Sequence, residues 1–168
     1  MAGPSPARPL PRDGDLTRRN LVSGVLVGVG VAAFLDETVF HQLLHWHHFY
    51  DRSTPDLGLV SDGLFHAVGW FAVVAGLFLY ADLRRRAGLD RTRWVASLLL
   101  GLGAFQLYDG TVQHKLLRLH QIRYDVPLLP YDLTWDLVAV ALLVAGAVLL
   151  LRRRRAGRSS SRRGRGGV

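Results

Sequence analysis

Four long apolar stretches separated by short polar segments dominate the hydropathy pattern of the chain. They cover approximately residues 21–46, 63–81, 94–119 and 133–151. Each is close to or above the roughly 18 to 20 residues that an α-helix needs to cross a bilayer. The pattern therefore predicts an all-α integral membrane protein with four spans, and an even number of spans places both termini on one side.

An internal repeat runs through these spans at an offset of 73 residues. Between residues 36–47 and 109–120, the residues Asp, Thr, Val, His, Leu, Leu and His recur in register. Gly28 matches Gly101 at the same offset, and Asp62 matches Asp132 at an offset of 70. Self-similarity of this length indicates a duplicated structural unit. We therefore predict a four-helix bundle built from two tandem repeats of a transmembrane helical hairpin.

The repeat boundaries divide the chain into four parts. Residues 20–86 form the first transmembrane hairpin and residues 91–155 form the second. The flanking segments contain few large apolar residues and are rich in Pro, Arg, Gly or Ser, a composition typical of disorder. We predict a disordered cytoplasmic N-terminus over residues 1–19 and a disordered basic cytoplasmic tail over residues 156–168.

The basic residues are distributed unequally between the two ends of the spans. Of 21 Lys and Arg residues, 17 lie in the N-terminal segment, in the loop after the second span or in the tail; the other four are Arg52, Lys115, Arg118 and Arg123. Basic residues near helix ends are retained in the cytoplasm, so both termini are predicted to be cytoplasmic. The net charge of +8 is then a topology signal, and no nucleic-acid partner is expected.

Ionisable side chains recur at one depth within the predicted spans. Asp36, Asp109, Asp136 and His66 each lie 14 or 15 residues from the predicted cytoplasmic boundary, which is about 21 to 23 Å into a core about 30 Å thick. All seven histidines belong to this layer or to the loops just beyond it. A carboxylate that faces lipid alone costs up to about 3 kcal/mol. We therefore expect these side chains to turn inward and face one another or a cation.

The layer predicts a metal site made of imidazole and carboxylate groups. On an ideal helix Glu37, His41, His45 and His48 form one stripe, and Asp62 shares a face with His66. Such groups suit zinc, iron, manganese or copper(II), while the absence of cysteine excludes thiolate sites. The predicted set of ligands and orienting residues comprises His41, His45, His48, His66, His114, His120, Asp36, Asp62, Asp109, Asp136 and Glu37.

Within this set we expect the histidines to bind the ion and some aspartates to orient them. Replacing His41 or His66 by alanine is expected to abolish metal binding, whereas Asp36→Asn is expected to weaken it about 10 to 100-fold. His47 is expected at the edge of the loop, where its substitution matters less.

Other functions stay open on the sequence alone. His41 and His114 occupy equivalent repeat positions, so a haem held between them in an electron-transfer protein is an alternative. A non-catalytic accessory or assembly partner of a membrane complex, or a homo-oligomer, is another. A proton or cation channel is disfavoured, because the cytoplasmic halves of the spans are almost purely apolar. The pattern identifies neither a reaction nor a catalytic residue.

The motif Asp-x-x-Val-x-His-Gln-Leu-Leu-x-Trp-His-His over residues 36–48 resembles a bacterial family of predicted four-span membrane proteins, catalogued as domain of unknown function 2243. The segment Asp-Gly-Leu-Phe-His over residues 62–66 and the later Asp109 and His114 strengthen the resemblance, which covers roughly residues 20–151. It implies a multi-pass protein of the bacterial plasma membrane and supplies no reaction.

Overall fold

The chain folds into four long helices. A computed structural model describes the backbone of residues 13–165 and the side chains of residues 14–157. In this part of the chain the α-helices are α1 (Asp13–Asp36), α2 (Pro55–Arg85), α3 (Arg91–Tyr108) and α4 (Leu128–Arg165). Two π-helices extend them: π1 (Glu37–Leu43) follows α1 and π2 (Asp109–Leu116) follows α3. The predicted all-α class is confirmed.

Four helical segments are long and apolar enough to cross a membrane. They cover Gly14–Leu43, Pro55–Arg85, Arg91–Leu116 and Leu128–Gly157. α1 and α3 pack against each other at the centre, with α2 beside α1 and α4 beside α3. The outer helices expose large apolar side chains such as Phe71, Phe78 and Val144. Such faces suit contact with lipid, so the four predicted spans are confirmed in length and composition.

Glycines bring the two central helices into close contact. A Cβ atom on Gly101 would lie 2.5 Å from the carbonyl oxygen of Val25, and one on Gly28 would collide with the backbone of Leu98. Small residues allow helix backbones to approach in this way. The face that carries Gly24, Gly28 and Gly101 is therefore used for packing inside the chain.

Glycines of the central helices also allow close contact with the outer helices, at matching positions of the two repeats. A Cβ atom on Gly30 in α1 would lie 2.6 Å from the carbonyl oxygen of Gly69, and one on Gly103 in α3 would lie 2.7 Å from that of Ala139. Gly30 and Gly103 are 73 residues apart, and Gly69 and Ala139 are 70 apart, the two offsets of the sequence repeat. These contacts support the proposal of a duplicated hairpin.

Both copies of the repeated motif end with the same backbone path. The amide of Leu44 donates to Val39 at 2.9 Å, and the amide of Leu117 donates to Val112 at 2.7 Å, each spanning five residues. The next residues, His45 and Arg118, have φ angles of 50° and 53°. This left-handed conformation is uncommon for residues other than glycine and turns the chain sharply. The end of the bundle that carries residues 36–54 and 109–127 is called the motif end below.

This path differs from the helix predicted through residue 48. π1 ends at Leu43, so His45 and His48 do not continue the stripe of Glu37 and His41. The i to i+5 hydrogen bonds widen the last turn, and the left-handed residue then reverses the chain. The prediction of a single stripe over these four residues is wrong.

The terminal helices also run past the predicted boundaries. α1 begins at Asp13, within the segment predicted to be disordered, and α4 continues through the arginines after residue 151 to Arg165. Arginine is a strong helix former, so the basic segment prolongs α4. Residues 1–12 and 166–168 of the two predicted disordered segments lie outside the described residues. The division into repeats and tails stays a prediction.

At the other end of the bundle a buried asparagine connects α1 with the loop between α2 and α3. Asn20 donates its side-chain amide to the carbonyl oxygens of Leu16 at 2.8 Å and Gly88 at 2.9 Å. Its side-chain oxygen accepts from the amide of Asp90 at 2.9 Å. Arg153 on α4 pairs with the Asp90 carboxylate at 2.9 Å. One side chain of α1 therefore fixes the loop between α2 and α3.

Replacing Asn20 by leucine is expected to lower the free energy of unfolding by about 2 to 4 kcal/mol, because the Gly88 carbonyl and the Asp90 amide lose a buried partner. Denaturation followed by circular dichroism in detergent measures this change. Thr134→Val is the control, since the Thr134 hydroxyl bonds only to Pro130 of its own helix and is exposed. Equal stability of the two variants would contradict the assignment.

Candidate metal centre

Each copy of the motif contributes one aspartate and two histidines to a single cluster at the motif end. Their exposed fractions lie between 1% and 7%, so all of them are buried. Each residue also matches its counterpart in the other copy at the offset of 73. The cluster consists of Asp36, His41 and His47 from the first copy and Asp109, His114 and His120 from the second.

Two of these histidines are oriented by reciprocal hydrogen bonds between the two copies of the motif. His47 Nδ1 lies 2.9 Å from the carbonyl oxygen of Ile122, and His120 Nδ1 lies 2.9 Å from that of Phe49. Phe49 and Ile122 are again equivalent positions. The two imidazole rings stack with their centroids 4.5 Å apart and their planes 4° apart. Each copy of the motif thus positions a histidine of the other.

These reciprocal hydrogen bonds decide which ring nitrogen is available to a ligand. A nitrogen that faces a carbonyl oxygen carries the proton, so Nδ1 donates and Nε2 retains its lone pair. Metal-binding histidines are commonly held by a hydrogen bond from their other ring nitrogen in this way. In their neutral forms His47 and His120 therefore both present an unprotonated Nε2 to the cluster.

His47 is also held in its neutral form. It lies in the loop between the first two spans, where burial and the neighbouring rings of His120, His41 and His114 lower its pKa to about 2. An imidazole binds a metal ion through a neutral nitrogen, so His47 is ready to bind without first losing a proton.

The donor atoms form two adjacent groups. One nitrogen from each of His47, His114 and His120 lies within 4.8 Å of the others. Asp109 adjoins this group, with one carboxylate oxygen 3.0 Å from His114 Nε2 and the other 3.7 Å from His120 Nε2. These separations are short enough for a single cation to contact several donors at once.

The second group shares a member with the first. Asp36, His41 and His47 also offer donor atoms within 4.8 Å of one another. His41 Nε2 lies 3.5 Å from a carboxylate oxygen of Asp36. The His47 ring lies 4.5 Å from that of His41 and 5.9 Å from that of His114, measured between centroids. His47 is therefore the point at which the two groups meet.

Every residue of the cluster keeps a polar atom without a hydrogen bond. Burying such an atom without a partner costs about 1 to 3 kcal/mol, and more when the group is charged. A cation at the cluster would satisfy these atoms together. Within the cluster these atoms are Asp36 Oδ1, His41 Nε2, His47 Nε2, Asp109 Oδ2, His120 Nε2 and both ring nitrogens of His114; among the other described residues Glu37 Oε2 and Asp136 Oδ1 are also without a hydrogen bond.

A further set of side chains orients His41 in the first copy alone. His41 Nδ1 lies 2.8 Å from Glu37 and 3.0 Å from Asp62. Asp62 also contacts His48 Nδ1 at 2.6 Å and accepts from the amide of Phe49 at 2.7 Å. Glu37, His41 and Asp62 form a third group of possible metal donors. Because Asp62 is already held by three partners, its geometry suits an orienting carboxylate better than a ligand.

The second copy lacks this arrangement. Gly110 stands where the first copy has Glu37, and a Cβ atom there would lie 2.7 Å from Trp135. In the second copy Gln113 holds the aspartate of the cluster, because its side-chain amide donates to Asp109 at 2.9 Å. The six cluster residues are thus duplicated, whereas the residues that hold them are not.

Three residues of the predicted set lie outside both the cluster and the group of side chains that orients His41. His45 has an exposed side chain next to the turn. His66 is half-buried with its ring 5.3 Å from that of Phe34. Asp136 forms an ion pair with Lys115 at 2.6 Å. The structure brings none of these three together with the buried donors.

His47 was missed by the sequence reasoning. The structure places it at the centre of the cluster, contrary to the prediction that it lies at the loop edge. A signal was present, because His47 and His120 are one of the seven identities of the repeat. The reciprocal bonds to Phe49 and Ile122 explain why both copies require this histidine.

Two cavities connect the cluster with the surface of the motif end. One has a volume of about 410 Å³ and reaches His114 and His120 between Arg52, Arg118 and Tyr124. The other, of about 330 Å³, reaches His47 beside His45 and His48. The histidines therefore line spaces at the motif end, while their unpaired nitrogens are themselves buried.

Four apolar spans around a buried layer of histidines and aspartates define a multi-pass, all-helical membrane protein. The family described as predicted membrane protein (DUF2243) has a model that matches residues 23–153, so the chain belongs to this family and the resemblance is confirmed. Neither a curated protein nor a solved structure matches the chain.

Proposed function

We propose that the protein is a membrane metalloprotein whose two motif copies jointly hold two transition-metal ions at the motif end. The observation that carries the proposal is the set of six buried, repeated residues, each with a polar atom that no described residue satisfies. Two histidines and one carboxylate from each copy form a common ligand set for such ions. Zinc, iron, manganese and copper(II) all suit these donors.

The donor set also suggests what the centre does. Three protein ligands leave coordination positions open, so a bound ion can polarise a substrate or activate a water molecule. The cavities beside Arg52 and His45 lie next to these donors. Asp62 and Glu37 hold His41, while the carbonyls of Ile122 and Phe49 hold His47 and His120. This arrangement supports a catalytic rather than a purely structural centre.

The geometry favours free metal ions over haem. The ring of His47 contacts the rings of both His41 and His114, the predicted haem pair. A macrocycle between them would displace His47 and break its bond to Ile122. Haem would also leave the Oδ1 atom of Asp36 and the Oδ2 atom of Asp109 without a hydrogen bond.

Elemental analysis of protein purified in detergent without a histidine tag tests the proposal. We expect about two ions of a first-row metal for each chain and no haem band in the visible spectrum. Protein that stays metal-free after incubation with zinc, iron, manganese and copper salts would identify the cluster as a hydrogen-bonded packing network instead.

The orientation in the bacterial plasma membrane is proposed with the motif end outside. The support is the concentration of 17 of the 21 basic residues at the opposite end. Cysteines introduced at Ser53 and Ser159 test it, because the chain has no native cysteine. An impermeant thiol reagent added to intact cells is expected to label position 53 and to leave position 159 unlabelled. The reverse pattern would invert the topology.

A further inference from the structure

An apolar groove opens on the side of the bundle at the motif end, between π1 and α4. Its volume is about 720 Å³, within the range of about 300 to 1,000 Å³ typical of ligand sites. Along α4 it extends from Tyr131 to Val138, which is about 10 Å of helix. The walls are mostly aliphatic and aromatic and include Leu35, Phe40, Trp46, Ile122, Trp135 and Val138.

Arg123 lies beside two aromatic residues that line this groove. The guanidinium carbon of Arg123 lies 4.9 Å from the ring centroid of Trp46 and 5.5 Å from that of Tyr131. One of its nitrogens donates to the Tyr131 hydroxyl at 2.8 Å. No ion pair joins Arg123 to a carboxylate within the described part of the chain, and a guanidinium has five N–H donors. The aromatic rings therefore hold a cation that no carboxylate of the described residues neutralises.

The groove and the proposed metal centre share a wall. Ile122 lines both the apolar groove and the polar cavity that reaches His114 and His120. Its carbonyl oxygen accepts from His47, and the Trp135 ring lies 6.3 Å from that of His114. The polar cavity also contains Arg52, Lys115 and Arg118. All four basic residues of the motif end thus lie around these two neighbouring spaces.

We infer that the groove binds the acyl chain of an anionic membrane lipid, whose phosphate head group sits at Arg123 and faces the polar cavity. The apolar walls match a hydrocarbon chain, and the fixed guanidinium matches an anionic head. The groove lies near the end of the spans. A lipid of the adjacent leaflet has its acyl chain and its head group at this depth. The head group of this lipid then lies next to the proposed metal centre.

Tryptophan fluorescence tests lipid binding because Trp46 and Trp135 line the groove. A Trp70→Phe background removes the tryptophan that is 53% exposed on α2. Metal-free protein in dodecyl maltoside micelles is titrated with phosphatidylglycerol or phosphatidylcholine that carries brominated acyl chains. We expect saturable quenching by phosphatidylglycerol at one lipid for each chain, and about tenfold weaker binding of phosphatidylcholine.

Two variants and a matched control complete the test. Val138→Phe fills the groove and is expected to abolish the saturable phase, whereas Val148→Phe, on the lipid-exposed surface of the same helix, preserves it. Arg123→Gln is expected to weaken phosphatidylglycerol binding about tenfold and to remove the head-group preference. Non-saturable quenching, equal affinity for both lipids, or an unchanged preference in Arg123→Gln would each overturn the inference. Because no metal is added, this result is independent of the proposed metal centre.

Discussion

Replacing His47 by alanine is expected to reduce the metal content from about two ions to about one for each chain. His47 Nδ1 donates to Ile122, so the Nε2 lone pair can bind only one ion, and the variant loses one of the three protein donors of that ion. Losing a metal-binding histidine commonly lowers the affinity by more than the 10 to 100-fold typical of an orienting residue. Mass spectrometry of the detergent-purified variants measures the bound metal.

His45→Ala is the matched control for this experiment. His45 lies two residues earlier in the same loop, and its side chain is exposed. We expect it to retain the wild-type metal content, and His66→Ala to do the same, because the structure places His66 beside Phe34 and outside the cluster. Equal loss of metal from the His47 and His45 variants would show that the cluster is not the binding site.

Replacing Gly28 by valine is expected to destabilise the bundle by at least about 3 kcal/mol, since overpacking a tight contact costs about 1 to 3 kcal/mol even where side chains can move. Here the new Cβ would meet the backbone of Leu98 and lie 2.9 Å from the amide nitrogen of Leu102, and backbone atoms cannot rotate away. The two central helices would have to separate. Thermal unfolding in detergent measures the change.

Gly63→Val provides the comparison, because a Cβ atom at Gly63 in α2 would meet nothing within 4 Å. Both substitutions place the same residue in a transmembrane helix and differ in the space around it. We expect Gly63→Val to melt close to the wild-type temperature. A Gly28→Val protein with the same melting temperature would show that α1 and α3 do not pack through this glycine.

The spans and their packing were predictable because they depend on patterns that survive in sequence. Apolar length identifies a span without further information. Small residues repeated at one helix position, such as Gly28 and Gly101, are typical of close backbone approach, and the structure has this contact. These features depend on composition and spacing, which a single chain displays directly.

The position of His47 was not predictable in the same way. It depends on the change from α- to π-helical hydrogen bonding and on the left-handed conformation of His45. Neither has a compositional signal, because both motif copies place ordinary residues at the turn. A helix extended through residue 48 gives His45 the inward position that the chain reversal assigns to His47.

The two remaining misplaced residues have different causes. His66 lies one helical turn, about 6 Å, further into the membrane than Asp62, and this carries it past the cluster to Phe34. Asp136 is drawn into an ion pair by Lys115, which replaces Gln42 of the first copy. The predicted layer placed His66 level with Asp36, whereas the structure brings Asp62 to His41, and Asp136 pairs with a residue of another helix.

The reciprocal bonds of His47 and His120 have a consequence for biogenesis. A chain with only its first hairpin inserted has His47 but lacks the Ile122 carbonyl that fixes its tautomer, and a second hairpin alone lacks the Phe49 carbonyl. Neither half can therefore present a finished binding site to an ion. If the centre binds metal as proposed, metal binds only after both hairpins have inserted and docked. Incomplete chains then remain without metal, which distinguishes them from complete ones.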